Sequence, residues 1–130
     1  MQSEVAHRLA AKPGSKVYGS PSAKLAWWAD ANLAGNVSRQ IFWPIPNVDS
    51  SLVYFAKREA SMGDEDLRVK TFAVIDAAFN QRRKTLRQSL SDLIGSPAAA
   101  EEVLVKAGIS PQLRGEQLQI ADFIEIAKAL

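Results

Sequence analysis

Cysteine is absent from these 130 residues, and histidine occurs once, at His7. The first absence excludes a disulfide framework, a thiolate nucleophile and any cysteine metal site. A single histidine cannot assemble a metal cluster by itself, so no metal ligand set is expected and His7 is assigned to a helix surface. Long apolar runs are also missing: nothing approaches the roughly 18 residues that would mark a membrane span. The first ten residues carry no secretory pattern either, which leads to the expectation of a cytoplasmic chain with no membrane partner. Large net charge is lacking as well. At +2 the molecule is no polycation, and any contact with nucleic acid must be regional.

One region supplies that charge. Arg82, Arg83, Lys84 and Arg87 place four positive charges in six residues, and no acidic residue stands between Asp76 and Asp92. From Leu67 to Leu90 there are six cations and one carboxylate, so the remainder of the chain is net acidic. Leu86, Leu90, Leu93 and Ile94 keep a helical rhythm behind the cations, which predicts charges displayed on a packed helix. Asn80 is a candidate left-handed helix end. Arg82, Arg83 and Lys84 would then open the next helix, where the dipole disfavours cations but where backbone N–H groups and guanidinium groups together make a phosphate site. The competing reading is a solvated basic face without function.

The hydrophobic fraction, 47%, is enough for a core. Residues 3–11 have the composition of a short helix with Ser3 as its cap. Ser20 and Pro21 signal a second helix, which carries Leu25, Trp27 and Trp28. Residues 30–38, interrupted by Gly35, and 49–57, with Leu52, Val53, Tyr54 and Phe55, read as strands. The prolines at 44 and 46 between them forbid ordinary ladder pairing. After a polar stretch containing Gly63 the chain reads as helical. Asp64, Glu65 and Asp66 open a helix with a wide apolar stripe, Ser96 and Pro97 cap another that stops at Gly108, and residues 120–130 form the last. This divides the chain into residues 1–57, a piece of a larger sheet with its helices, a linker at 58–63, and a four-helix bundle at 64–130.

Two stretches, Phe42-Trp43-Pro44-Ile45-Pro46-Asn47-Val48-Asp49-Ser50 and Ala78-Phe79-Asn80-Gln81-Arg82-Arg83-Lys84-Thr85-Leu86-Arg87, closely resemble the bacterial adenine N6,N6-dimethyltransferases of small-subunit ribosomal RNA. Lys16-Val17-Tyr18-Gly19 and Arg114-Gly115-Glu116-Gln117-Leu118 followed by Phe123 resemble that family too. Asn47, where the family usually has lysine, and Ser38, where proline is common, depart from it. The related large-subunit RNA methyltransferases share the Phe-x-Pro-x-Pro pattern, but residues 80–87 favour the small-subunit branch.

The resemblance implies an α+β fragment equal to the C-terminal half of a family member. Residues 1–57 would be the last helices and strands of a doubly wound, Rossmann-like methyltransferase domain, and residues 64–130 an all-α RNA-binding domain. It implies S-adenosylmethionine as cofactor of the complete enzyme. The glycine-rich loop, acidic ribose binder and Asn-Leu-Pro-Tyr-like motif that hold cofactor and target amine are absent from the chain. The chain alone is therefore expected to bind no cofactor and to be inactive. Phe42, on a loop stiffened by Pro44, would stack on the flipped adenine. Arg82, Arg83, Lys84 and Arg87, with Lys16 and Tyr18, would contact ribosomal RNA within the assembling small subunit. The sheet edge is expected to pair with a second copy. A stand-alone helical RNA-binding module in ribosome assembly, without catalysis, is the alternative.

Overall fold

The computed structural model describes residues 2–37, 50–58 and 62–130. In chain order they form α1 (Ser3–Leu9), α2 (Ser20–Leu25), β1 (Ala29–Val37), β2 (Ser50–Lys57), α3 (Glu65–Asn80), α4 (Leu86–Ser89), α5 (Ser91–Ile94), α6 (Pro97–Lys106), a 3-10 turn at Gly115–Gln117, and α7 (Ile120–Ala129). None of these helices is long and apolar enough to cross a membrane.

Local chemistry accounts for several element ends. Asp64 caps α3 by accepting the Leu67 N–H at 2.8 Å, and Ser96 caps α6 by accepting the Ala99 N–H at 3.1 Å. Gly108, at φ +78°, closes α6: its N–H reaches the Val105 carbonyl while that of Ile109 reaches Leu104, the paired bonds of a glycine-terminated helix. Two caps differ from expectation. Gly19, not Ser20, precedes α2, and its N–H is met by Ser22 Oγ at 3.3 Å. Ser3 lies inside α1, where its hydroxyl spans to Ser51 of β2 at 2.9 Å.

The strands pair antiparallel, from Ala29 opposite Lys57 to Val37 opposite Ser50, with a shift in register between Leu33 and Gly35. Gly35 takes φ +152°, which side-chain-bearing residues rarely adopt. On this sheet Ala29, Ala31 and Ser51 are buried, while Leu33, Leu52, Tyr54 and Phe55 are exposed.

The main core lies elsewhere. It joins Tyr18, Ala23 and Trp27 to Val74, Ile75 and Ala78 of α3, Leu86, Leu90, Leu104, and Phe123, Ile124, Ile126 and Ala127 of α7. A relay of rings runs through it: Tyr18 meets Phe79 edge-on at 5.7 Å, and Phe79 meets Phe123 at 6.1 Å. Polar contacts follow the same seam. The Tyr18 hydroxyl donates to the Leu118 carbonyl at 2.7 Å, the Gly14 N–H to the Glu116 carbonyl at 2.7 Å, and Lys24 pairs with Asp76 at 2.8 Å.

These contacts correct the expected fold class. It divided the chain into the end of a doubly wound sheet and a separate all-α domain. The described strands instead make only an antiparallel pair, and the segment preceding them shares one hydrophobic core with the helices. Burial of Tyr18 and Trp27 against α3 and α7 ties the two stretches into one body.

Candidate nucleic-acid interface

The basic stretch begins where α3 ends. No residue other than glycine takes positive φ among those described, so Asn80 is not the expected left-handed end; it is the last residue of α3. The chain turns at Gln81, whose carbonyl accepts the Lys84 N–H at 2.9 Å. Arg82, Arg83 and Lys84 therefore occupy a turn, not the start of a helix, and α4 begins only at Leu86 with Thr85 before it. The Leu86 N–H donates to the Leu113 carbonyl at 2.7 Å and that of Arg87 to Pro111 at 3.2 Å. Those amides are spent on the loop after α6, so the expected phosphate cradle of helix-start N–H groups does not form. Buried Leu86 and Leu90 anchor the turn to the core, whereas Leu93 is exposed.

The four cations divide into two kinds. Arg82 is pinned: its Nε faces Glu116 Oε2 at 3.3 Å, its Nη2 donates to the Lys16 carbonyl at 2.9 Å, and its guanidinium stands 6.0 Å from the Phe79 ring centre. Arg87 Nε lies 3.5 Å from Glu101 Oε2. Arg83 and Lys84 are exposed and make no salt bridge to the described residues. The unspent positive charge of the turn is thus concentrated on the two residues between the pinned pair.

Lys16 is exposed and stands beside Arg82 through its carbonyl. Tyr18 is 3% exposed, with its hydroxyl given to Leu118, so it packs where an RNA contact was expected. Burial, and secondarily the Asp122 carboxylate, push the Tyr18 hydroxyl pKa up to about 12. Phe42 and Pro44 lie outside the described residues. Glu116, which orients Arg82, was visible only as part of the Arg114–Leu118 motif, since its partner stands 34 residues away in sequence. Gly115 makes that pairing reachable. A Cβ there would stand 2.9 Å from the Ala78 Cβ, so only glycine lets the 3-10 turn lie this close to α3.

The family described as ribosomal RNA adenine dimethylase matches residues 1–130. This chain belongs to that family. It is 59% identical over 127 residues to ribosomal RNA small subunit methyltransferase A of Leifsonia xyli subsp. xyli, covering 98% of this chain and 45% of that protein. The namesake from Streptomyces griseus subsp. griseus is 56% identical over 128 residues, 98% of this chain and 44% of the relative. The chain spans about half the length of the curated relatives it matches. A dimethyladenosine transferase from Plasmodium falciparum superposes with a TM-score of 0.80 at 21% identity, over 96% of this chain and 53% of that one. The 23S rRNA methyltransferase ErmE gives 0.71 at 16%, over 99% and 52%.

The family match is unbroken from residue 1 to residue 130, and both solved neighbours are methyltransferases that the chain follows almost throughout. Together with the continuous core, this overturns the reading of a catalytic-domain remnant followed by a separate C-terminal domain. The assignment to a C-terminal half of the family is withdrawn with it. The family match covers the chain along its whole length.

Proposed function

We propose that this chain works within an enzyme that dimethylates the exocyclic amines of adenines in small-subunit ribosomal RNA, in the cytoplasm, on the assembling subunit. Family membership supports the reaction class. The observation that carries this chain's own part is the exposed Arg83–Lys84 pair, on a turn followed by amides bonded to the loop at 111–113 and by the buried Leu86 and Leu90. Fixed cations neutralise phosphates at set positions and so establish register without reading sequence.

The methyl donor of the family reading is S-adenosylmethionine. Among the described residues no strand leads into a glycine-rich turn and helix, and the sheet is an antiparallel pair. These residues do not fit that cofactor, and no step is derived through it. They also hold no group of three or more His, Asp or Glu side chains suited to a metal ion.

In the same reading Phe42, with Pro44 two residues on in the sequence, stacks on the extruded base. Phe42→Ala should slow turnover about ten-fold, because base stacking on an aromatic ring contributes roughly 1–3 kcal/mol, and Phe42→Trp should restore much of it. The exposed apolar residues of the sheet would be covered by further polypeptide, and by a second copy when none other is present.

The direct test is methyl transfer to small-subunit ribosomal RNA by the whole protein containing this chain. Dimethyladenosine should form, and Arg83→Gln with Lys84→Gln should raise KM for RNA with little change in kcat. Failure to modify adenine in any ribosomal RNA would remove the proposal.

A further inference from the structure

A second basic feature lies beside the exposed pair and is not part of it. Between the α1–α2 connection and the end of α3 is a cleft of about 340 Å³, lined by Arg8, Lys16, Val17, Gly19–Pro21, Phe79 and Arg82. Three cations line it and no carboxylate does. Two of those cations are paired with carboxylates that do not line the cleft: Glu4 with Arg8 at 3.5 Å, and Glu116 with Arg82 at 3.3 Å. Asp76, which accepts from the rim hydroxyl of Ser20 at 3.3 Å, is offset by Lys24. Lys16 has no carboxylate partner among the described residues.

The state of Arg82 makes this cleft more than a patch of like charge. Its Nε is held by Glu116 and its Nη2 by the Lys16 carbonyl, which leaves Nη1 as the uncommitted edge. Nη1 lies 3.9 Å from where a Gly19 side chain would begin, at the Gly19 wall of the cleft. A guanidinium held at two nitrogens has already lost much of the rotamer freedom that binding would otherwise cost. Val17 and Pro21 add apolar surface beside the cations. Cationic residues lining a cleft together with apolar ones match a sugar-phosphate unit, whose anionic oxygens and flat or hydrocarbon parts need both.

We infer that this cleft binds one nucleotide of the RNA strand, its phosphate held by Arg82 Nη1, Lys16 and Arg8 and its ribose or base lying against Val17 and Pro21. This rests on the RNA-binding reading above and adds a defined seat to it. The exposed Arg83–Lys84 pair meets phosphates on the turn. The cleft adds a seat for one further nucleotide.

The test uses the whole protein and a small-subunit ribosomal RNA stem-loop in which single phosphates are replaced, one at a time, by uncharged methylphosphonates. Lys16→Gln keeps the backbone carbonyl that holds Arg82 and should weaken binding about ten-fold, as the loss of one charged hydrogen bond does. Lys16→Arg should restore it. At one RNA position the methylphosphonate should weaken wild type but add little to Lys16→Gln, because both remove the same contact. Arg8→Gln should show the same coupling at that position.

Losses that simply add at every position, or unchanged binding by Lys16→Gln and Arg8→Gln while Arg83→Gln with Lys84→Gln weakens it, would overturn the cleft and leave the RNA reading standing. If no variant changes binding, the RNA reading falls and the cleft with it.

Discussion

The sheet and the basic turn are both exposed, yet they are built in opposite ways. Among the described side chains, none of β1 or β2 belongs to the main hydrophobic core, and Tyr54 and Leu52 are 64% and 56% exposed. The turn at 81–85 is polar and wet, but Leu86 and Leu90 beside it are fully buried and the next two amides are tied to the loop at 111–113. The sheet buries small residues, Ala29 and Ala31, and leaves the larger Leu33, Leu52, Tyr54 and Phe55 exposed; the turn shows charge and anchors it. Exposure alone therefore says little about order. What separates the two is whether neighbouring residues enter the core, and only an anchored turn can hold a phosphate in register.

The sharpest way to break this comparison is to remove one large side chain from each region. Phe123→Ala deletes a fully buried ring and should cost about 3–5 kcal/mol, whereas Tyr54→Ala should stay within about 0.5 kcal/mol. Thermal or urea melts of both variants measure the contrast, and equal losses would mean that the sheet shares the core after all.

Next in size is the alkaline limb of stability. The Tyr18 hydroxyl ionises near 10 in the unfolded chain and near 12 in the folded one, so the unfolded state releases its proton first. Its contribution is full below pH 10 and is lost as pH rises to about 12, by roughly 2–3 kcal/mol. Tyr18→Phe should be less stable at neutral pH, since the Leu118 carbonyl loses its donor, yet its stability should fall less between pH 10 and 12. Urea melts across that range decide it.

Much of the fold was legible where a single side chain governs an end. Asp64, Ser96 and Gly108 mark helix boundaries by hydrogen bonds within a few residues, and the strand ends at Ala29 and Lys57 were placed to within one residue. The joint core was not legible, because Tyr18 and Leu118 meet across 100 residues and periodicity carries no information about which faces meet. The site was legible as a cluster of charge but not as a shape. No glycine or proline marks the turn at Gln81, so the leucine rhythm was extended back through Arg82 into a helix that is not there. The division into pinned and free cations depends on Glu116 and Glu101, supplied from other elements.

Two smaller effects sharpen the turn's side of the comparison. Gly115→Ala forces a contact on Ala78 and should cost about 1–3 kcal/mol by overpacking; a melting temperature equal to wild type would mean that the 3-10 turn moves freely. The Arg82–Glu116 pair is about one-third exposed, and a double-mutant cycle with Arg82→Gln and Glu116→Gln should give no more than about 1 kcal/mol of coupling. Its value lies in direction, as a strut for Arg82, more than in stability.

The central claim is that an anchored turn offers Arg83 and Lys84 to RNA phosphates. It is tested most directly by the salt dependence of binding to a small-subunit ribosomal RNA stem-loop, for wild type and for Arg83→Gln with Lys84→Gln. The account predicts a log-log slope shallower by on the order of 1.5 in the variant, from about 0.7–0.9 per phosphate contact, with an unchanged melting temperature. An unchanged slope, or a slope that flattens only as the fold is lost, would contradict it.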